Sequence, residues 1–384
     1  MLFVIFFGIA TLGILFHRSK IMRFILVFYT WILMAFNTYN PDTLSYQIIY
    51  NNPMSAQEEI GFKLLCLIGK KIGMSYDVFH FFLITLSLIF AYKGINELRK
   101  RNKTGWDNLI FVTYLFFPMM FDIVLVRSFV SACIIIYALK DLYDAKYIKY
   151  TLFILVAASI HISSVFFLLL LLVATIKRFN RDNCVENKYL FKRIDTYSKR
   201  RVCFLVAGVI VLFVFLLRTN ILQTVLLNLG FNPVKINLWL SGSNITIRKV
   251  LLCTMLHLVN YFTFIFIRRT YLKSSNRRMY SRLDGIVYVL NNILLLNIVF
   301  TIYADQFLRI LGVGIIINSI YYSCIIQLQN MHLKRLAMLN CSILPAIVMF
   351  VFRMFAYYTP YGEQYIIYIF KTILENNVFV NLLR

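Results

Sequence analysis

Apolar runs recur along the whole length of this chain, and the charged residues between them are mostly lysine and arginine. The runs cover residues 1–16, 21–37, 77–95, 106–121, 123–139, 148–176, 202–217, 250–267, 284–303, 308–328 and 336–352, with a further one at 364–383. In a chain of 384 residues that is 60% apolar, they cannot all be hidden inside one water-soluble core. Several are nearer 16 residues than the ~20 of a straight crossing, so their ends are soft, but the pattern as a whole predicts many helices. The expected fold is an all-α, polytopic integral membrane protein: a single membrane domain with about eleven spans.

A formal charge of +24 invites comparison with nucleic-acid-binding proteins, which carry their basic residues on a soluble face. Here the lysines and arginines sit between apolar runs, so nucleic acid is not an expected partner. If the N-terminus is outside, the alternate loops 17–23, 93–105, 140–149, 177–201, 268–282 and 329–335 hold 28 of the 40 basic residues, which makes them cytoplasmic. The stretch 177–201 then reads as a basic cytoplasmic loop. No basic residue precedes the first run and no small-residue cleavage site follows it, so 1–16 reads as a retained span. The seven cysteines are scattered without a CxxC or a histidine at ligand spacing, which supports neither a disulfide framework nor a zinc site. His17 and His332 fall in basic loops, and His80 and His257 lie in spans without a companion signal.

The run 148–176 breaks the alternation, because basic loops flank it on both sides. As one helix it would be about 43 Å long, too long for a ~30 Å hydrocarbon core. A re-entrant segment or hairpin of two short helices is expected instead, turning at "ASIHISS", where Ser159, His161, Ser163 and Ser164 bring polar groups together.

Residues 38–76 form the longest polar interruption and fall outside in this topology. Asn40 as N-cap, Pro41 as first helical residue and Asn51-Asn52-Pro53 as terminator predict a short helix over 41–50. Asp42, Tyr46 and Tyr50 fall at i, i+4 and i+8, along one stripe. The following "EEIGFKLLCLIGKKIG" reads as a helix lying in the membrane interface. Taken singly, Asp42 fits a first-turn acid favoured by the helix dipole, and the tyrosines fit an aromatic belt. Together, an acid and two rings on one exposed face suit sugars, whose hydroxyls need acceptors and whose C–H faces stack on rings.

Arg127 and Arg309 each lie near the outer end of a span, where an arginine usually pairs or lines a cavity. Asp122 and Asp305 are the nearby partners for a purely structural role. The alternative is that both arginines bind phosphate, for which the planar guanidinium is well suited. His161 stands at the expected helix break, as either a hydrogen-bonded core residue or a catalytic base.

In order, "NPDTLSYQIIY", "EIGF", "VRSFVSACIIIYAL", "AASIHISSVFFLLLLL" and, more weakly, "FLRILGVG" resemble the EpsG family of Wzy-like polysaccharide polymerases. Ser128 stands where that family commonly has Gln, and Ser164 where a small Ala is usual. The resemblance implies a multi-pass protein of the bacterial cytoplasmic membrane. It implies a glycosyltransferase that joins undecaprenyl-pyrophosphate-linked oligosaccharide units on the outer face into capsular, exopolysaccharide or O-antigen chains. Asp42, Tyr46, Tyr50, Glu59, Arg127, His161 and Arg309 would surround one outward cavity. Arg127, Arg309, Tyr46 and Tyr50 would bind substrate, His161 or Asp42 would accept the proton of the attacking hydroxyl, and Glu59 would orient it. No cofactor or metal is implied, and chain-length regulator and flippase proteins would be further partners. The rival classes are a flippase or exporter of the same lipid-linked sugars and another polyprenyl-dependent membrane transferase.

Overall fold

A computed structural model describes residues 2–54, 59–102, 108–172, 224, 247–272, 281–303, 307–328, 332–356 and 375–378. The described elements, in chain order, are α1 (Leu2–Leu15), α2 (Lys20–Ala35), α3 (Thr43–Asn51), α4 (Ile60–Lys71), α5 (Tyr76–Asn102), α6 (Asn108–Phe116), α7 (Pro118–Asp122), α8 (Val126–Tyr143) and α9 (Tyr147–Ile160). A 3-10 helix, η1 (Ile162–Leu171), follows, then α10 (Ile247–Leu272), α11 (Ser281–Tyr303), α12 (Leu308–Leu328) and α13 (His332–Ala356). Among the described residues the protein is all-helical, and five helices are long and apolar enough to cross a membrane: α5, α10, α11, α12 and α13. Run 202–217, loop 177–201 and most of 364–383 lie outside the described residues.

The expected single crossing at 106–121 is instead two pieces. Pro118 has no N–H to continue the ladder of α6, and Phe117 leaves helical geometry at φ −126° and ψ −68°, so the chain restarts as the short α7. The basic loop expected at 93–105 is largely helical as well. Helix α5 runs on to Asn102 and carries Lys93, Arg99, Lys100 and Arg101 on its final turns, where cations favour a helix C-terminus.

Helix α12 forms the centre, with 94% of its apolar stretch buried, and it packs against α5, α6, α8, α11 and α13. Helices α5 and α8 meet at Gly94, where an added Cβ would lie 2.6 Å from Tyr137 Cα, so the small residue allows the two backbones to touch. The described part of the segment, residues 148–172, folds back on itself. In a continuous rod Tyr150 and Phe167 would stand about 25 Å apart, yet the Tyr150 hydroxyl donates to the Phe167 carbonyl at 2.8 Å. The turn is His161, extended at φ −149° and ψ 114°, between α9 and η1.

Polar contacts collect the basic segments at one end of the bundle. Asn108 Nδ2 donates to the Phe16 and Ser19 carbonyls, Arg101 pairs with Asp144 at 3.0 Å, Arg282 donates to the Tyr143 carbonyl, and His17 lies in the field of Arg335. Helices α5, α8 and α9 run from this end to the other, where α3, α4, His161 and Arg309 lie. Helix α4, about 18 Å long and too short to cross, exposes Ile60, Leu64 and Ile68, with Ile72 continuing the row, and turns Phe62 and Cys66 inward.

Candidate functional site

The site begins with Asn40, which is buried and fully used. Its Nδ2 donates to Asn37 Oδ1 and to the Ile123 carbonyl, both at 3.2 Å, and its Oδ1 accepts the Asp42 N–H at 3.0 Å. The Asn40 N–H donates to Thr43 Oγ1 at 2.8 Å. This asparagine turn occupies residues 40–42, so α3 begins at Thr43 and not at Pro41 as the sequence pattern predicts. Asp42 becomes the N-cap, yet its carboxylate makes no capping hydrogen bond. Burial pushes the Asp42 carboxyl above the usual carboxylate range, against the opposing pull of Arg309 and Arg127.

Helix α4 brings the next group. Glu59, its N-cap, forms an ion pair with Arg127 and accepts the Ile162 N–H at 3.3 Å through its other oxygen. It thus links the start of α8 to the residue after His161. The Arg127 guanidinium lies 5.9 Å from the Tyr46 ring centroid and 5.7 Å from that of Phe62, and it hydrogen-bonds the Tyr46 side chain. Burial raises the Tyr46 hydroxyl above its ordinary value, so it stays protonated. Gly61 explains the spacing of the "EIGF" motif: a Cβ there would lie 2.7 Å from the backbone carbonyl of Ser159 on α9. Only glycine lets α4 approach α9 closely enough for Glu59 to reach Ile162. Gly61→Ala should therefore destabilise the protein by about 1–3 kcal/mol, read as a lowered unfolding midpoint in detergent. An unchanged midpoint would mean that α4 separates from α9 without cost.

His161 joins the second arginine. Its Nε2 contacts Arg309 at 2.7 Å and its Nδ1 contacts Ser163 Oγ at 2.7 Å. A guanidinium only donates, so Nε2 is the acceptor, the ring proton sits on Nδ1 toward Ser163, and the imidazole is neutral. Among the described residues Arg309 is in no ion pair; Asp305, the partner expected from sequence, lies outside them. Asp122, expected beside Arg127, is instead hydrogen-bonded to Tyr114, and the ion pair of Arg127 goes to Glu59.

Six of the seven residues singled out from sequence thus meet in one cluster: Asp42, Tyr46, Glu59, Arg127, His161 and Arg309. Tyr50 stands apart. Its hydroxyl donates to the Met74 carbonyl at 2.7 Å and its ring packs on Phe79 and Tyr76, so it ties α3 to the start of α5. Eight residues along a helix are about 12 Å, which moves it beyond the cluster despite the shared stripe. Asn37, unnoticed in the sequence, has no motif to mark it. The Glu59–Arg127 pairing has no signal in the sequence, since the two residues belong to separate motifs 68 positions apart. Among the described residues no group of His, Cys, Asp or Glu is arranged to hold a metal ion.

Among known proteins, the model of the EpsG family matches residues 20–370, nearly the whole chain. No curated protein and no solved structure matches.

Proposed function

The chain belongs to the EpsG family, a Wzy-like polymerase-type family of membrane proteins, and from that premise we propose that it polymerises lipid-linked oligosaccharide repeat units. The growing glycan is transferred from undecaprenyl pyrophosphate to a hydroxyl of a second lipid-linked unit, on the outer face of the bacterial cytoplasmic membrane. The product is a capsular, exopolysaccharide or O-antigen chain. The observation that carries this reading is the unequal state of the two arginines. Arg127 already has a counter-ion in Glu59, whereas among the described residues Arg309 is in no ion pair and contacts the His161 ring, with Asp42 an acid in its field, so its guanidinium can meet an anionic leaving group.

The roles follow from the hydrogen bonds. Arg309 meets the pyrophosphate and offsets the charge that develops on it as the glycosidic bond breaks. Arg127, oriented by Glu59 and backed by the Tyr46 and Phe62 rings, forms the second wall. His161 Nε2 is occupied by Arg309, so the imidazole orients that guanidinium, and Asp42 is the better proton acceptor for the attacking hydroxyl. The raised Asp42 carboxyl is suited to that task, since a stronger base than an ordinary carboxylate holds the proton more readily. The two rings expected on an exposed face are both buried: Tyr46 backs the Arg127 guanidinium, and Tyr50 ties α3 to the start of α5.

A null strain should accumulate single-repeat lipid-linked glycans on the outer leaflet and make no long polymer, as read by gel electrophoresis and lipid extraction. Complete repeat units trapped on the cytoplasmic leaflet would instead identify a flippase.

A further inference from the structure

Residues 376–378 lie past the family match, yet they are bound to the stretch that leads into Asp42. Thr38 donates through both its N–H, at 2.9 Å, and its Oγ1, at 2.7 Å, to the Asn376 carbonyl, and the Val378 N–H donates to the Phe36 carbonyl at 3.1 Å. Asn37 and Asn377 form an antiparallel bridge. The Asn377 side chain is wholly buried, and its Nδ2 donates to the Ile32 and Leu33 carbonyls in the last turn of α2, the first of which also accepts the Phe36 N–H. The segment is therefore a strap across the end of α2. It fixes Asn37, whose Oδ1 holds Asn40, and Asn40 in turn holds the Asp42 N–H.

We propose that Asn377 is a positioning residue that sets the placement of Asp42, acting through the succession Asn377, Asn37, Asn40 and Asp42. The proposal rests on the reading of Asp42 as proton acceptor. Two of the links are backbone or side-chain amides donating to carbonyl oxygens, which fix direction as well as distance. The Asn40 contact to the Ile123 carbonyl adds a second anchor, three residues before α8 begins, so the strap fixes Asp42 relative to the helix that carries Arg127. A displacement of about 1 Å at a reacting group is enough to cost about a hundredfold in rate.

The test uses the full chain in nanodiscs, with lipid-linked repeat units extracted from the null strain as substrate, and two variants. Asn377→Leu removes the amide at nearly constant size, and Thr38→Val removes one bond to the strap at an exposed position where folding is not at stake. In both, hydrogen exchange at the Thr38, Asp42 and Thr43 amides should quicken while exchange at Ile162 stays as in the parent. In Asn377→Leu, kcat should fall about ten- to a hundredfold with KM unchanged. Unchanged exchange would overturn the strap itself. Faster exchange with unchanged kcat, or a loss of activity that only follows loss of protein, would overturn the positioning role. If Asp42→Asn is itself fully active, the proton-acceptor reading fails, and the exchange arm still decides whether the strap holds the loop.

Discussion

Asp42→Asn should lower polymer formation by about 10²- to 10⁴-fold per molecule, the usual contribution of a positioned base, and should do so without loss of protein from the membrane. The reason lies in the same burial that raises its carboxyl. A carboxyl whose pKa is higher in the folded state than in the unfolded state favours folding while it is protonated. That contribution is lost as pH rises through the folded-state pKa. Above that pKa the ionised Asp42 is therefore a burden on the fold, and the neutral amide should leave the unfolding midpoint unchanged or raise it. Loss of activity with retained or increased stability is the signature of a functional acid and the opposite of what a structural helix cap would give. In the parent enzyme, activity should fall as pH drops through a limb lying above the ordinary carboxylate range, and the residual activity of the variant should lack that limb. A variant that loses stability and activity together would return Asp42 to the role of cap.

Arg309→Lys should lower activity by about 10²- to 10³-fold, the scale of losing one preorganised donor to a developing negative charge. Lysine keeps the charge but not the fork, and it cannot both reach His161 Nε2 and present a second donor in the same plane. Because His161 is read as acting through Arg309, the two substitutions should not add. His161→Gln alone should be strongly impaired, but His161→Gln in an Arg309→Lys background should cost little more. A fully additive double variant would mean that His161 works on the substrate directly, as an independent base.

Much of the cluster was legible in the sequence, and the reasons differ residue by residue. Arg127, Arg309 and His161 stand out because an ionisable group near the end of an apolar run is costly and therefore rare. The turn at His161 could be read because 29 helical residues exceed the membrane, a constraint of length that needs no knowledge of packing. The partner of Arg127 could not be read, because sequence neighbours favour Asp122, five residues away, over Glu59 in a separate helix. Tyr50 misleads for the opposite reason: helical spacing reports direction around an axis but not position along it. The break at Pro118 and the continuation of α5 to Asn102 show the same limit, since hydropathy marks where lipid is tolerated and not where a helix ends.

Helix α4 presents a row of exposed aliphatic side chains along one edge and carries Glu59 at its head. If that row rests among acyl chains, α4 acts as a float line: the height of Glu59, and of the arginine it holds, is referenced to the lipid surface and not only to the transmembrane bundle. A carrier that diffuses in two dimensions offers its phosphates at one depth, so catalysis becomes a matching of two levels. Lipids of different chain length would then change the rate without touching any side chain of the cluster, because thinning or thickening the bilayer shifts one level against the other.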